Sequence, residues 1–248
     1  MLRGPLMLRA WLRRLAGEDP NAITTSRGWE RYAQDHEGPA PLGDEWSDPA
    51  AIGMDVGADE IVPVLDRELF APFLGACDTI VELGPGGGRF TAVLLPKCRR
   101  LLAADTSATM LAMLRRRFAG DARLECVPLD GQGLGPIADG SADAVFAFDV
   151  FVHLPQWDTF NYLREIRRVL RPGGKAVIHH GNVFSDLGWA SFVSELPYTV
   201  DRHKPYGAFA VMTPELMRGF VERAGLEVVA CRTDVVRRDA ITFLRKQP

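Results

Sequence analysis

The stretch “VELGPGGGRF”, residues 81–90, decides how this chain is read. An apolar strand carrying one acidic residue, Glu82, runs straight into glycines at Gly84, Gly86, Gly87 and Gly88. A buried parallel strand that ends this way delivers backbone stripped of side chains to a ligand. A dinucleotide fingerprint places its third glycine where Arg89 stands, because the spacing here is Gly84-x-Gly86-x-Gly88. Arginine at that point obstructs both close helix–strand packing and the approach of a pyrophosphate. Glu82 adds to this exclusion, since a buried carboxylate is costly unless something pairs with it. A ligand with an ammonium group supplies the pairing, whereas a pyrophosphate is repelled.

Working outward, two more carboxylates close strands. Asp105, twenty-one positions after Gly84, ends “RRLLAAD” and can accept both hydroxyls of a ribose. Asp130, followed by Gly131, ends “ARLECVPLD” where it could reach an adenine amino group; an Asx turn at Asp-Gly is the alternative. Strands and helices alternate from residue 59. “DEIVPVLDRELFAPFL” is helical, “GRFTAVLLP” opens a helix on the glycines, and Ser107 caps a helix over “SATMLAMLRRRF”. “ADAVFAFDVFVHL” holds the fourth strand, “WDTFNYLREIRRVLR” the next helix, and “GGKAVIHHGN” a fifth strand announced by the breaker “RPGG”. This alternation predicts a parallel sheet with right-handed crossovers. The end differs: after the helix “TPELMRGFVERAG”, two β-rich runs follow with no helix between them and pair as an antiparallel hairpin.

The bulk numbers fit an α/β globule of 248 residues, 47% hydrophobic and 25% charged. A net charge of −3 and a pI near 6.0 lack the footprint of a nucleic-acid binder. The arginine clusters, Arg115 to Arg117 among them, are spread over different elements and read as solvated faces. Four cysteines without paired spacing point to a reducing, cytoplasmic location and not to zinc or disulfides. No apolar run approaches the ~20 residues of a membrane span. The opening “MLRGPLMLRAWLRRLAG” is basic and amphipathic, and is expected to pack on its own domain or lid the site. Residues 1–58 form a helical and loop extension in this reading, and residues 59–248 the main domain.

In this order and spacing, Glu82-x-Gly84-x-Gly86-x-Gly88, Asp105, Asp130-Gly131, “DAVFAFD” (143–149), “VLRPGG” (169–174) and the closing hairpin resemble class I S-adenosylmethionine-dependent methyltransferases over roughly residues 75–248. The resemblance implies a Rossmann-like seven-stranded, mostly parallel sheet with an antiparallel last strand and helices on both faces. It implies S-adenosylmethionine as cofactor, with Glu82, Gly84, Gly86, Gly88, Asp105, Thr106, Met110, Asp130, Gly131 and Phe148 in contact with it. “GDEW” (43–46), “FDVFVHL” (148–154), “IHHGN” (178–182) and “DAITFLRK” (239–246) are most similar to bacterial small-molecule O-methyltransferases acting on sugars or natural products. The partner expected is a small-molecule substrate, and a homodimer is compatible with the pattern.

A hydroxyl acceptor needs its proton removed, usually by His or a carboxylate. His179 and His180 end the fifth strand and point to opposite faces, so at most one of them serves the site; His180, nearer the strand end, is preferred. His153 and Asp149 follow the fourth strand and are the other candidates. His203 and His36 lie in flanking segments. No spacing resembles a metal site. An N- or C-methyltransferase on a metabolite, lipid or quinone, and a scaffold without catalysis, stay open as alternatives.

Overall fold

The computed structural model describes residues 20–35, 49–195 and 209–248. The opening basic segment, “GDEW”, His36 and His203 lie outside the described residues. Seven strands form one sheet in the order β3-β2-β1-β4-β5-β7-β6. In chain order they are β1 (Cys77–Leu83), β2 (Cys98–Asp105), β3 (Leu124–Pro128), β4 (Ala142–Ala147), β5 (Leu170–Gly181), β6 (Glu227–Arg232) and β7 (Asp239–Arg245). β1 pairs parallel with both β2 and β4, while β7 is antiparallel to both of its neighbours, β5 and β6. Strand order reverses between β1 and β4, which opens a crevice at their carboxyl ends. The glycines of “VELGPGGGRF” leave β1 at that point.

Among the described residues the helices are α1 (Pro20–Asp35), α2 (61–74), α3 (Thr91–Leu94), α4 (Ala108–Arg117), α5 (Gln156–Val169), α6 (Asp186–Ser194) and α7 (Pro214–Arg223). α2 is continuous through one π turn, Asp66–Phe70. On one face of the sheet, Val81, Leu83, Val145, Ala147, Ala176 and Ile178 pack against Leu163 and Ile166 of α5 and Met217 and Val221 of α7. On the other, Ile80, Phe146, Val177, Ile241 and Phe243 meet Ile61, Leu65 and Phe70 of α2 and Leu94 of α3. Ile52 and Met54 belong to the second cluster, so the core of the domain begins before residue 59.

Two local expectations change. The helix after the glycines is one turn, Thr91–Leu94, followed by a 3-10 turn over Leu95–Lys97, because Pro96 cannot continue an α-helical ladder. “RPGG” lies inside β5 instead of ahead of it. Leu170 already pairs with Ala142, and pairing resumes at Lys175 opposite Ala144, so the residues between bulge out. Gly173, at φ 75°, supplies the left-handed backbone this bulge requires.

Candidate functional site

The site grows from the carboxyl ends of β1, β2 and β4. Gly84 turns the chain at φ 65°, and its amide donates to the Ala104 carbonyl of β2 at 2.8 Å. A Cβ at Gly84 would run into the Val150 side chain, so β1 and the segment after β4 can meet only across a bare backbone. Gly88 also has a packing task. A Cβ there would lie 2.6 Å from Leu114 Cδ1, space taken by α4 itself, so this glycine answers to helix packing. The turn is also tied to the end of α4, where Arg117 Nη1 donates to the Gly87 carbonyl at 2.8 Å.

Glu82 is 2% exposed and accepts a 2.6 Å hydrogen bond from Thr91 Oγ1, the first residue of α3. Burial lifts its carboxyl to about 8; the Thr91 bond pulls against this, and the charge of Asp105 adds to it. Asp105 accepts from the amides of Ser107, at 2.8 Å, Gly86 and Thr106. Burial still raises it to about 6 against those bonds, with the charge of Glu30 contributing. Two buried carboxylates therefore flank the glycine turn, and each holds its proton more tightly than in water. Such a pair favours a ligand that brings a cation and hydroxyl donors. The bond from the Gly86 amide makes Asp105 a support of the turn as well as a candidate ribose acceptor.

Thr91 and Glu30 were missed in the sequence. Glu30 of α1 accepts from Ser107 Oγ at 2.7 Å, Thr109 Oγ1 at 2.6 Å and the Thr109 amide at 3.2 Å. The Thr109 and Ser107 hydroxyls hold its carboxyl down at about 2. An anion at the start of α4 also meets the positive end of the helix dipole. No periodicity announces a cap supplied from 77 residues away. Beside it, Trp29 and Ala33 of α1 pack with Met110 and Met113 of α4. This brings α1 over the segment that carries Asp105, Thr106 and Met110.

Asp130 forms the Asx turn that was its alternative reading: its Oδ1 accepts from the Gln132 amide at 2.8 Å, with Gly131 at φ 84°. It remains exposed at the carboxyl end of β3. Phe148 is buried, with its ring 4.4 Å from that of Phe90 and stacked on His179 at 4.1 Å. Asp149 begins the segment after β4, and His153 lies further along it. Half-buried, His153 sits between Trp29, at 5.0 Å, and Phe209, at 5.4 Å.

The preference for His180 as base is corrected. Its side chain is 0% exposed, its Nδ1 lies 2.9 Å from the Gly181 carbonyl and its Nε2 lies 2.8 Å from Thr242 Oγ1. Burial depresses it to about 4, so the ring is neutral and both nitrogens are engaged within the sheet. It shares the face of Ile178, which packs toward α5 and α7. Beyond His153, a small solvent-open hollow is lined by Asn182 and Val183 after β5, Phe192 of α6, Phe209 and Arg238.

Fold and site together define a class I methyltransferase architecture, with a glycine turn after β1, acidic ends on β1 and β2, and β7 reversed. Residues 81–178 match the family model described as a methyltransferase domain. The chain is similar to the demethylmenaquinone methyltransferase of Clavibacter sepedonicus, 38% identical over 128 residues, covering 50% of this chain and 49% of that protein. It is 33% identical over 136 residues to the malonyl-[acyl-carrier protein] O-methyltransferase of Marinomonas sp. (strain MWYL1), covering 52% and 48% respectively. Among solved structures, the DhpI–SAH complex superimposes with a TM-score of 0.62 at 19% identity over 92% of this chain and 97% of that one, a likeness of fold. Residues 81–178 thus match a methyltransferase domain, set within a fold of the class I methyltransferase type. The chain spans about half the length of the curated relatives it matches. No helix of the described residues is long and apolar enough to cross a membrane.

Proposed function

We propose that this protein transfers a methyl group from S-adenosylmethionine to a hydroxyl of a small metabolite, a sugar or natural-product intermediate. The observation that carries the donor side is the pair of buried carboxylates, Glu82 and Asp105, on either side of a side-chain-free turn. Glu82 would hold the ammonium of the donor and Asp105 the ribose hydroxyls, with Thr106, Met110 and Asp130 around the adenosine. When bound, the donor supplies an electrophilic methyl group on a sulfonium.

His153 is the base this reading assigns, because it stands on the segment leaving β4 and is framed by two aromatic rings. It would take the proton of the acceptor hydroxyl on a ring nitrogen, while Trp29 and Phe209 exclude water and fix the ring. Phe192 and Phe209 at the neighbouring hollow would offer aromatic faces to the acceptor. In this reading residues 20–35 lie on the lid side, and the domain whose core includes Ile52 and Met54 carries the chemistry. A panel of hydroxylated sugars, phenols and a quinone is incubated with the donor, and S-adenosylhomocysteine release is measured. His153→Ala should lower turnover at least tenfold, with S-adenosylhomocysteine affinity within about threefold of the parent. Equal turnover in both proteins would remove the base assignment. A quinone methylated in place of every hydroxylated compound would replace the hydroxyl reading.

A further inference from the structure

Among the described residues, Asp149 is the only non-glycine with positive φ, 61°. Left-handed backbone is strained for a residue with a Cβ, less so for Asp than for most, and here the surroundings hold it in place. Its two neighbours are aimed by that torsion. Phe148 turns its ring into the core against Phe90, and Val150 fills the space that a side chain at Gly84 would need. The conformation of one residue therefore sets the wall next to the glycine turn.

His179 is the group that meets this backbone. Its Nδ1 accepts the Asp149 amide at 3.1 Å, and its ring stacks on Phe148 at an interplanar angle of 7°. A nitrogen that accepts an amide carries no proton, so the ring proton resides on Nε2. Nε2 faces Asp239 Oδ2 at 3.3 Å. Asp239 Oδ2 in turn accepts from Arg238 Nε at 2.8 Å and lies 2.7 Å from its Nη2. His179 and Asp239 are 0% and 2% exposed, so none of this is surface pairing. His180, one residue on, takes the opposite tautomer, because its Nδ1 faces the Gly181 carbonyl.

We propose that His179 is a positioning residue: its bare Nδ1 locks the Asp149 backbone in the left-handed turn that sets Phe148 and Val150 against the glycine loop, and Asp239 enforces the tautomer that allows this. The effect on cofactor binding rests on the methyltransferase reading; the lock on the backbone does not.

The test exploits side-chain geometry. The amide oxygen of Asn can stand where Nδ1 stands, and the amide nitrogen of Gln where Nε2 stands. All three variants, His179→Ala, His179→Asn and His179→Gln, lose the stacked ring, so they share that loss. Hydrogen exchange at the Asp149 amide and calorimetry with S-adenosylhomocysteine are measured on each, with nitrogen-15 shifts reporting the parent's His179 tautomer. In the Ala and Gln variants exchange should accelerate at least tenfold and affinity fall at least fivefold, whereas Asn should recover both to within about threefold. Equal exchange in the Asn and Gln variants, or a proton on Nδ1 in the parent, would overturn the proposal. A parent that fails to bind S-adenosylhomocysteine, yet shows the predicted exchange order and tautomer, would instead count against the methyltransferase reading.

Discussion

Replacing Glu82 with Gln should make the ligand-free protein more stable at mildly alkaline pH while weakening its hold on the cofactor. Glu82 is buried and its carboxyl is raised from 4.5 to about 8. Each pH unit of such a difference corresponds to about 1.4 kcal/mol, so ionising this group in the folded chain costs on the order of 5 kcal/mol more than in water. The sign follows from proton counting. Between those two values the folded chain binds more protons than the unfolded chain, so this group's contribution is fully present below about pH 4.5 and lost as pH rises through about 8. Gln cannot ionise, and its carbonyl still accepts the Thr91 hydroxyl. Urea unfolding across this range should show the Glu82-dependent decline vanish in Glu82→Gln, with a gain of a few kcal/mol at about pH 8. Calorimetry should show S-adenosylhomocysteine affinity reduced about 10- to 100-fold, the worth of a charged hydrogen bond of ~1.5–3 kcal/mol. If the variant is less stable than the parent at that pH and binds equally well, Glu82 is not the buried ammonium partner described above.

Asp105→Ala should cost at least tenfold in S-adenosylhomocysteine affinity, with secondary structure by circular dichroism retained; unchanged affinity would show the ribose contact is misplaced. Gly84→Ala meets both a left-handed backbone and the Val150 side chain; a loss of about 2–4 kcal/mol in urea unfolding is expected, partly recovered by adding Val150→Ala. Glu30→Ala removes a cap from α4 worth about 1 kcal/mol, and hydrogen exchange over residues 20–35 should quicken while the sheet is unaffected.

Much of this arrangement was legible in the sequence because it is local. The glycine spacing, the acidic ends of β1 and β2, and the Ser107 cap each depend on residues within one turn of one another. The antiparallel β7 was readable from the absence of a helix between the last two β-rich runs. What escaped was set by tertiary contact. His180 stands at the crevice end of a strand, but alternation alone could not say which of two adjacent histidines faces α5 and α7 and which meets Asp149. Glu30 lies on a helix with no local mark of its partner, and nothing local marks Gly88 as packed against Leu114 and Phe118. “RPGG” read as a break because composition signals a turn, and a bulge inside a paired strand needs the same residues.

The central claim, a cationic adenosine-bearing ligand on the “VELGPGGGRF” turn, is tested most directly by titrating the protein with S-adenosylhomocysteine and, separately, with NAD in a calorimeter. Saturable binding of S-adenosylhomocysteine and no heat from NAD is the predicted result, and binding of NAD alone would contradict it.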